Sequence, residues 1–172
     1  MTTYTARAID GEALAELRIV DDAGQPCVPF TATESLGPLR CCLRSVEAGD
    51  RIALVSYAPL RRWAAATGAK PGAYDEQGPV FIHAEQCDGP APGAEAYPFD
   101  RTGALRTLRR YDSEGRIVGG RLLEIPAEAT EGFDQAFTEA FADPRVALVH
   151  VRAVEYGCFQ FEVRRAQGLS GG

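Results

Sequence analysis

Lysine is almost absent from this 172-residue chain: of 18 basic side chains, only Lys70 is a lysine. Schiff-base and P-loop chemistry therefore have almost no candidate residue, and any anion site has to be built from arginine, whose planar fork suits carboxylate and phosphate. An arginine-rich codon bias is the plainer source of this composition. Long apolar runs are missing as well. None approaches the ~20 residues of a membrane-spanning helix, and Met1-Thr2-Thr3-Tyr4 lacks the basic-then-apolar order of a signal peptide; a cytoplasmic location and no membrane partner are expected. No G-x-G-x-x-G, P-loop, G-x-S-x-G, H-E-x-x-H or EF-hand pattern occurs, so the common nucleotide, hydrolase and metalloprotease chemistries lose their usual support. A formal charge of −6 argues against nucleic acid as a partner.

Cysteine is present in an odd number: Cys27, Cys41, Cys42, Cys87 and Cys158. That speaks against a disulfide framework and for reduced thiols that pack as small apolar residues. None stands in a C-x-x-C pair. The only histidines are His83 and His150, each with a cysteine downstream, Cys87 and Cys158. Two His and two Cys can close a tetrahedral zinc site, but these spacings fit no finger or ribbon, so no metal and no cofactor are expected.

The fold class expected is α+β, with a largely antiparallel sheet of about seven strands and two main helices. It forms one domain over 1–166, followed by a flexible tail over 167–172. Asp10 reads as the N-cap of a helix carrying Leu14 and Leu17. Leu39 to Arg44 and Arg51 to Ala58 read as a hairpin about Glu47-Ala48-Gly49-Asp50, and alternation would then place Arg40, Cys42 and Arg44 on one side with Cys41 and Leu43 opposite. Arg61 to Asp75 reads as a surface excursion with at most one helical turn around Trp63. Gly78 to His83 is a strand, and Cys87 to Pro98, rich in proline and glycine, is a loop. Leu105 to Tyr111 and Arg116 to Glu124 form a second hairpin about Asp112-Ser113-Glu114-Gly115. Phe133, Phe137 and Phe141 recur every fourth residue and mark an amphipathic helix that stops before Pro144.

The last hairpin offers the sharpest expectation. A three-residue loop Glu155-Tyr156-Gly157 pairs Val149 with Val163, His150 with Glu162, Val151 with Phe161 and Arg152 with Gln160. Phe159, Phe161 and Val163 then face the core, while His150, Arg152, Cys158, Gln160 and Glu162 share the other side. An ordinary solvated cross-strand pair is the plainer interpretation of His150 and Glu162. A cleft floor, with Glu162 orienting the imidazole, is the functional one.

Several segments together carry a resemblance: Leu39-Arg40-Cys41-Cys42-Leu43-Arg44, Gly78-Pro79-Val80-Phe81-Ile82-His83, Leu108-Arg109-Arg110-Tyr111-Asp112 with Gly115, Ala142-Asp143-Pro144-Arg145-Val146, His150-Val151-Arg152 and Gly157-Cys158-Phe159. In this order they resemble a bacterial family catalogued as a domain of unknown function, number twelve hundred and three. The resemblance spans Leu39 to Arg165. It implies a small, bacterial, cytosolic, single-domain protein, and it carries no catalytic role onto any residue.

The leading functional expectation is a small anionic ligand held in a sheet-face cleft by His83, His150, Arg152, Cys158 and Glu162, with Arg40 and Arg109 at its margin. The enzymatic rival is a thiolate paired with a histidine, and Cys42, between two arginines, is the first candidate for a reactive thiol. A third reading is an interaction module or homodimer that works through an exposed sheet edge or arginine face.

Overall fold

Alternating burial along the strands sorts them into two antiparallel sheets. The structure is a computed structural model that describes residues 1–166, so the tail expected over 167–172 lies outside the described residues. One sheet has three strands in the order β1 (Phe30–Thr31), β2 (Arg51–Tyr57), β3 (Gly78–His83). The other has four in the order β5 (Ile117–Glu124), β4 (Leu105–Asp112), β6 (Val146–Ala153), β7 (Phe159–Arg164). The class is α+β, as expected, with the strands divided between two sheets.

Among the described residues there are three α-helices: α1 (Gly11–Leu17), α2 (Pro59–Thr67) and α3 (Ala129–Phe141). Asp10 caps α1 by accepting from the Ala13 N–H at 2.8 Å. The second helix corrects the expectation of a single turn at Trp63. Pro59 sits at its first turn, Leu60, Trp63 and Ala64 recur at helical spacing, and Gly68 ends it with a left-handed φ of 80°. Phe133 and Phe137 of α3 are fully buried against Val149, Val151, Phe161 and Val163. Phe141, half-buried, stacks on Tyr4 with ring centroids 5.5 Å apart, so the aromatic stripe is core.

The opposite face of the four-stranded sheet is also covered. Leu60 and Trp63 of α2 pack on Tyr111 and Leu148. Phe159 joins the core of the three-stranded sheet, its ring 5.7 Å from that of Tyr57. The two sheets therefore meet across the polar side of the last hairpin, where His150 and Glu162 are buried rather than solvated. Three of the expected pairs form: Val149 with Val163, His150 with Glu162 and Val151 with Phe161. The fourth does not. Arg152 pairs with Phe159, because a bulge leaves Gln160 unpaired and turns Phe159 toward His150 instead of toward Phe161.

Leu39 to Arg44 is the largest departure. Polar–apolar alternation imitates a strand there, but the segment folds as a tight turn: Leu43 N–H bonds to Leu39 C=O at 3.1 Å, and Leu43 adopts a left-handed φ of 60°. A non-glycine residue held in that region costs on the order of 1 kcal/mol, a strain typical of functional turns. The turn is anchored beside β3 by a parallel bridge between Leu39 and Phe81 and by the Arg40 N–H bonded to Phe81 C=O at 2.9 Å.

Candidate metal centre

That anchoring sets the geometry of the most concentrated chemistry in the molecule. With Leu39 alongside Phe81, Cys41 of the turn comes level with His83 of β3, each two residues further on. The His83 backbone N–H then donates to Cys41 Sγ at 3.2 Å, and the imidazole Nδ1 lies 3.3 Å from the same sulfur. The left-handed turn brings the adjacent cysteine to the same place, with Cys42 Sγ 3.9 Å from His83 Nδ1. Cys87 follows β3 by four residues and returns to the cluster. The ligand atoms of Cys41, Cys42, His83 and Cys87 all lie within 4.8 Å of one another. Both residues of the Cys-Cys pair are buried, and His83 and Cys87 are half-buried.

The dimensions match a tetrahedral ion. Zn–S and Zn–N bonds of about 2.3 and 2.0 Å imply sulfur–nitrogen separations of about 3.5 Å, and the distances of 3.3 and 3.9 Å from His83 Nδ1 to Cys41 and Cys42 Sγ bracket this. The cluster is already poised toward thiolate. A hydrogen bond from Cys41 holds the Cys42 thiol down at about 5 against the opposing effect of burial, and the Arg44 backbone and side chain add to it. The same bond, together with burial, pushes Cys41 upward. Arg44 in turn is raised by its bond to Cys42, so a guanidinium lies beside the Cys42 thiolate and offsets its negative charge. Two open cavities flank the imidazole. One, of about 740 Å³, is bordered by Arg44, Asp50, His83 and Asp100, and the other, of about 390 Å³, by Arg44, Arg51, His83 and Cys87.

The seven residues expected to share one anion cleft are divided. His83 belongs to the cysteine cluster. His150 is fully buried between Tyr111 and Phe159, and its Nε2 lies 2.8 Å from Glu162 Oε2. Glu162 is held on its other oxygen by Arg164 at 2.5 Å. Arg40 is buried on backbone carbonyls. Arg109 bonds both oxygens of Glu76 at 2.9 Å, and Arg152 and Cys158 border a third cavity some way along the sheets. Cys42 is adjacent to Arg44, as alternation suggested, but Cys41 is on the same side, because the turn replaces the expected strand. The expectation of no metal rested on spacing alone. It considered Cys42 with a histidine only as a reactive thiol and did not bring Cys41 to His83, since that contact spans 42 residues and follows no sequence pattern.

A family model described as "Protein of unknown function (DUF1203)" matches residues 37–165. The chain belongs to this family. The DUF1203 match takes in all four cluster residues and the whole four-stranded sheet, and leaves α1 and β1 outside it. No curated protein and no solved structure matches the chain. No helix among the described residues is long and apolar enough to cross a membrane.

Proposed function

We propose that this DUF1203 protein binds zinc through Cys41, Cys42, His83 and Cys87. The observation that carries this is the convergence itself. Three of five cysteines and one of two histidines, drawn from a turn, a strand end and the segment after it, place their ligand atoms within 4.8 Å. Four protein ligands complete a tetrahedral sphere, the arrangement of structural zinc sites, and leave no open position for a substrate. The ion would tie the turn at Leu39–Arg44 to β3 and to the loop that follows, a job that a buried apolar contact does not do for a segment of such irregular backbone. Bound thiolates require reduced cysteines, in keeping with a cytoplasmic location.

The thiolate-nucleophile reading uses the same sulfur, Cys42, beside the same imidazole. It is weaker because Cys42 is only 2% exposed and its nearer neighbour is a second thiol rather than a substrate cavity. Cobalt(II) titration of chelator-treated protein distinguishes the two. One equivalent should give the intense visible bands of a tetrahedral ion together with thiolate-to-cobalt charge transfer. Cys42→Ser and Cys87→Ser should each weaken that charge transfer, and Cys158→Ser should leave it intact. A pale octahedral spectrum, or no uptake, refutes zinc binding at this site.

A further inference from the structure

The third cavity, of about 500 Å³, lies where the Tyr57 end of β2 and the start of β3 face the turn between β6 and β7. Tyr57, Pro59, Val80, Tyr156 and Phe159 give it apolar and aromatic walls. Arg152, Glu76 and Cys158 supply its polar groups. Positive charge is in surplus around it, in a chain whose formal charge is −6. Arg109 takes both oxygens of Glu76 at 2.9 Å, which leaves Arg152 with the same carboxylate only at 3.8 Å. Arg152 donates from NH1 to Gly157 C=O at 3.1 Å, and its Nε is buried with no partner. Behind the cavity wall, Arg40 is 4% exposed and bonds to the carbonyls of Phe159 and Pro38 rather than to a carboxylate. Burial pushes both guanidiniums down from their ordinary value, Arg40 to about 10.

Arg109 and Arg152 thus share one carboxylate, Arg40 has none, and Arg40 and Arg152 are largely withdrawn from water. Buried charge of one sign is costly unless a counter-charge accompanies it. We propose that this cavity binds a small monoanionic carboxylate with a ring-shaped or branched apolar body, its carboxylate on Arg152 and its body between the tyrosines. A monoanion fits better than a phosphate because Glu76 borders the same space and repels a second negative charge. Planar carboxylate suits the guanidinium fork, and aromatic walls suit an apolar ring. Arg40 adds to the field without touching the ligand. The site is separate from the cysteine cluster and does not depend on zinc.

Isothermal titration of the full-length protein with benzoate, phenylacetate, benzamide and inorganic phosphate tests this. At least one of the two carboxylates should bind at one per chain, about tenfold or more tighter than benzamide and than phosphate. Arg152→Gln should weaken that binding by about tenfold or more. Glu76→Gln, at a half-exposed position, should strengthen it. The opposite signs separate ligand recognition from a general loss of folding. No binding by either carboxylate, equal binding of benzamide, preference for phosphate, or an unchanged affinity in Arg152→Gln would overturn the proposal.

Discussion

At the scale of single residues, the buried pair His150 and Glu162 shows how position decides chemistry. Burial pushes the imidazole below its usual value of 6.5, against the hydrogen bond that it donates to Glu162, because the charged ring would have to leave water for a site lined by Tyr111 and Phe159. The hydrogen bond from His150 and the Arg164 guanidinium hold the Glu162 carboxyl below its ordinary value against burial, so a neutral ring donating from Nε2 satisfies the carboxylate, and Nδ1 is left as a bare acceptor without a partner. Above pH 6.5 neither the folded nor the unfolded imidazole holds the second proton. Below it the unfolded chain takes up a proton more readily than the folded one, so stability falls as the pH falls. Urea unfolding at pH 7 and pH 5 should therefore show a loss in the native protein that is smaller in His150→Gln. Equal losses in the two proteins would place the charged imidazole inside the fold. The pairing of His150 with Glu162 was readable from alternation and a three-residue turn. Its burial was not, because nothing local to β6 and β7 tells which second layer will cover them.

Secondary-structure elements were legible wherever local chemistry and tertiary packing agree. Helix α3 and the β4–β5 hairpin follow from a four-residue aromatic repeat and from Asp112-Ser113-Glu114-Gly115, and Gly115 takes the left-handed φ of 84° that such a turn uses. Phe137 of α3 is fully buried and packs on Tyr97 and Phe161 at ring separations of 5.4 and 6.5 Å. Phe137→Ala should cost about 3–5 kcal/mol in chemical unfolding, since such a site is hemmed in on all sides. A loss under about 1 kcal/mol would mean that the helix does not close this core. Legibility failed at Leu39–Arg44, where strand-like alternation competes with a turn. The backbone bonds to Phe81 and Ile9, both distant in sequence, and the left-handed Leu43 decide the conformation there. The bulge at Arg152 is a similar case: one unpaired residue moved Phe159 to the other face and, with it, the wall of the proposed carboxylate cavity.

For the molecule as a whole, two sheets pressed together leave two separate chemical regions. The cysteine cluster lies at the His83 end of β3, and the arginine-bordered cavity lies at the Gly78 end of the same strand. Clamping β3 to the Cys41–Cys42 turn would stiffen the strand whose other end borders the ligand cavity, so zinc has an architectural part to play without meeting the ligand. A single anion cleft was expected because the titratable residues alternate along neighbouring strands. The layering of the sheets separated them, sending His83 outward to thiols and His150 inward to Glu162. The central claim is tested most directly by the metal content of the untagged protein, purified without chelator under reducing conditions and read by mass spectrometry of the elements. Close to one zinc per chain is expected, falling sharply in the double substitution Cys41→Ser with Cys42→Ser. Zinc well below one per chain in the native protein, or zinc that persists in the double variant, would contradict it.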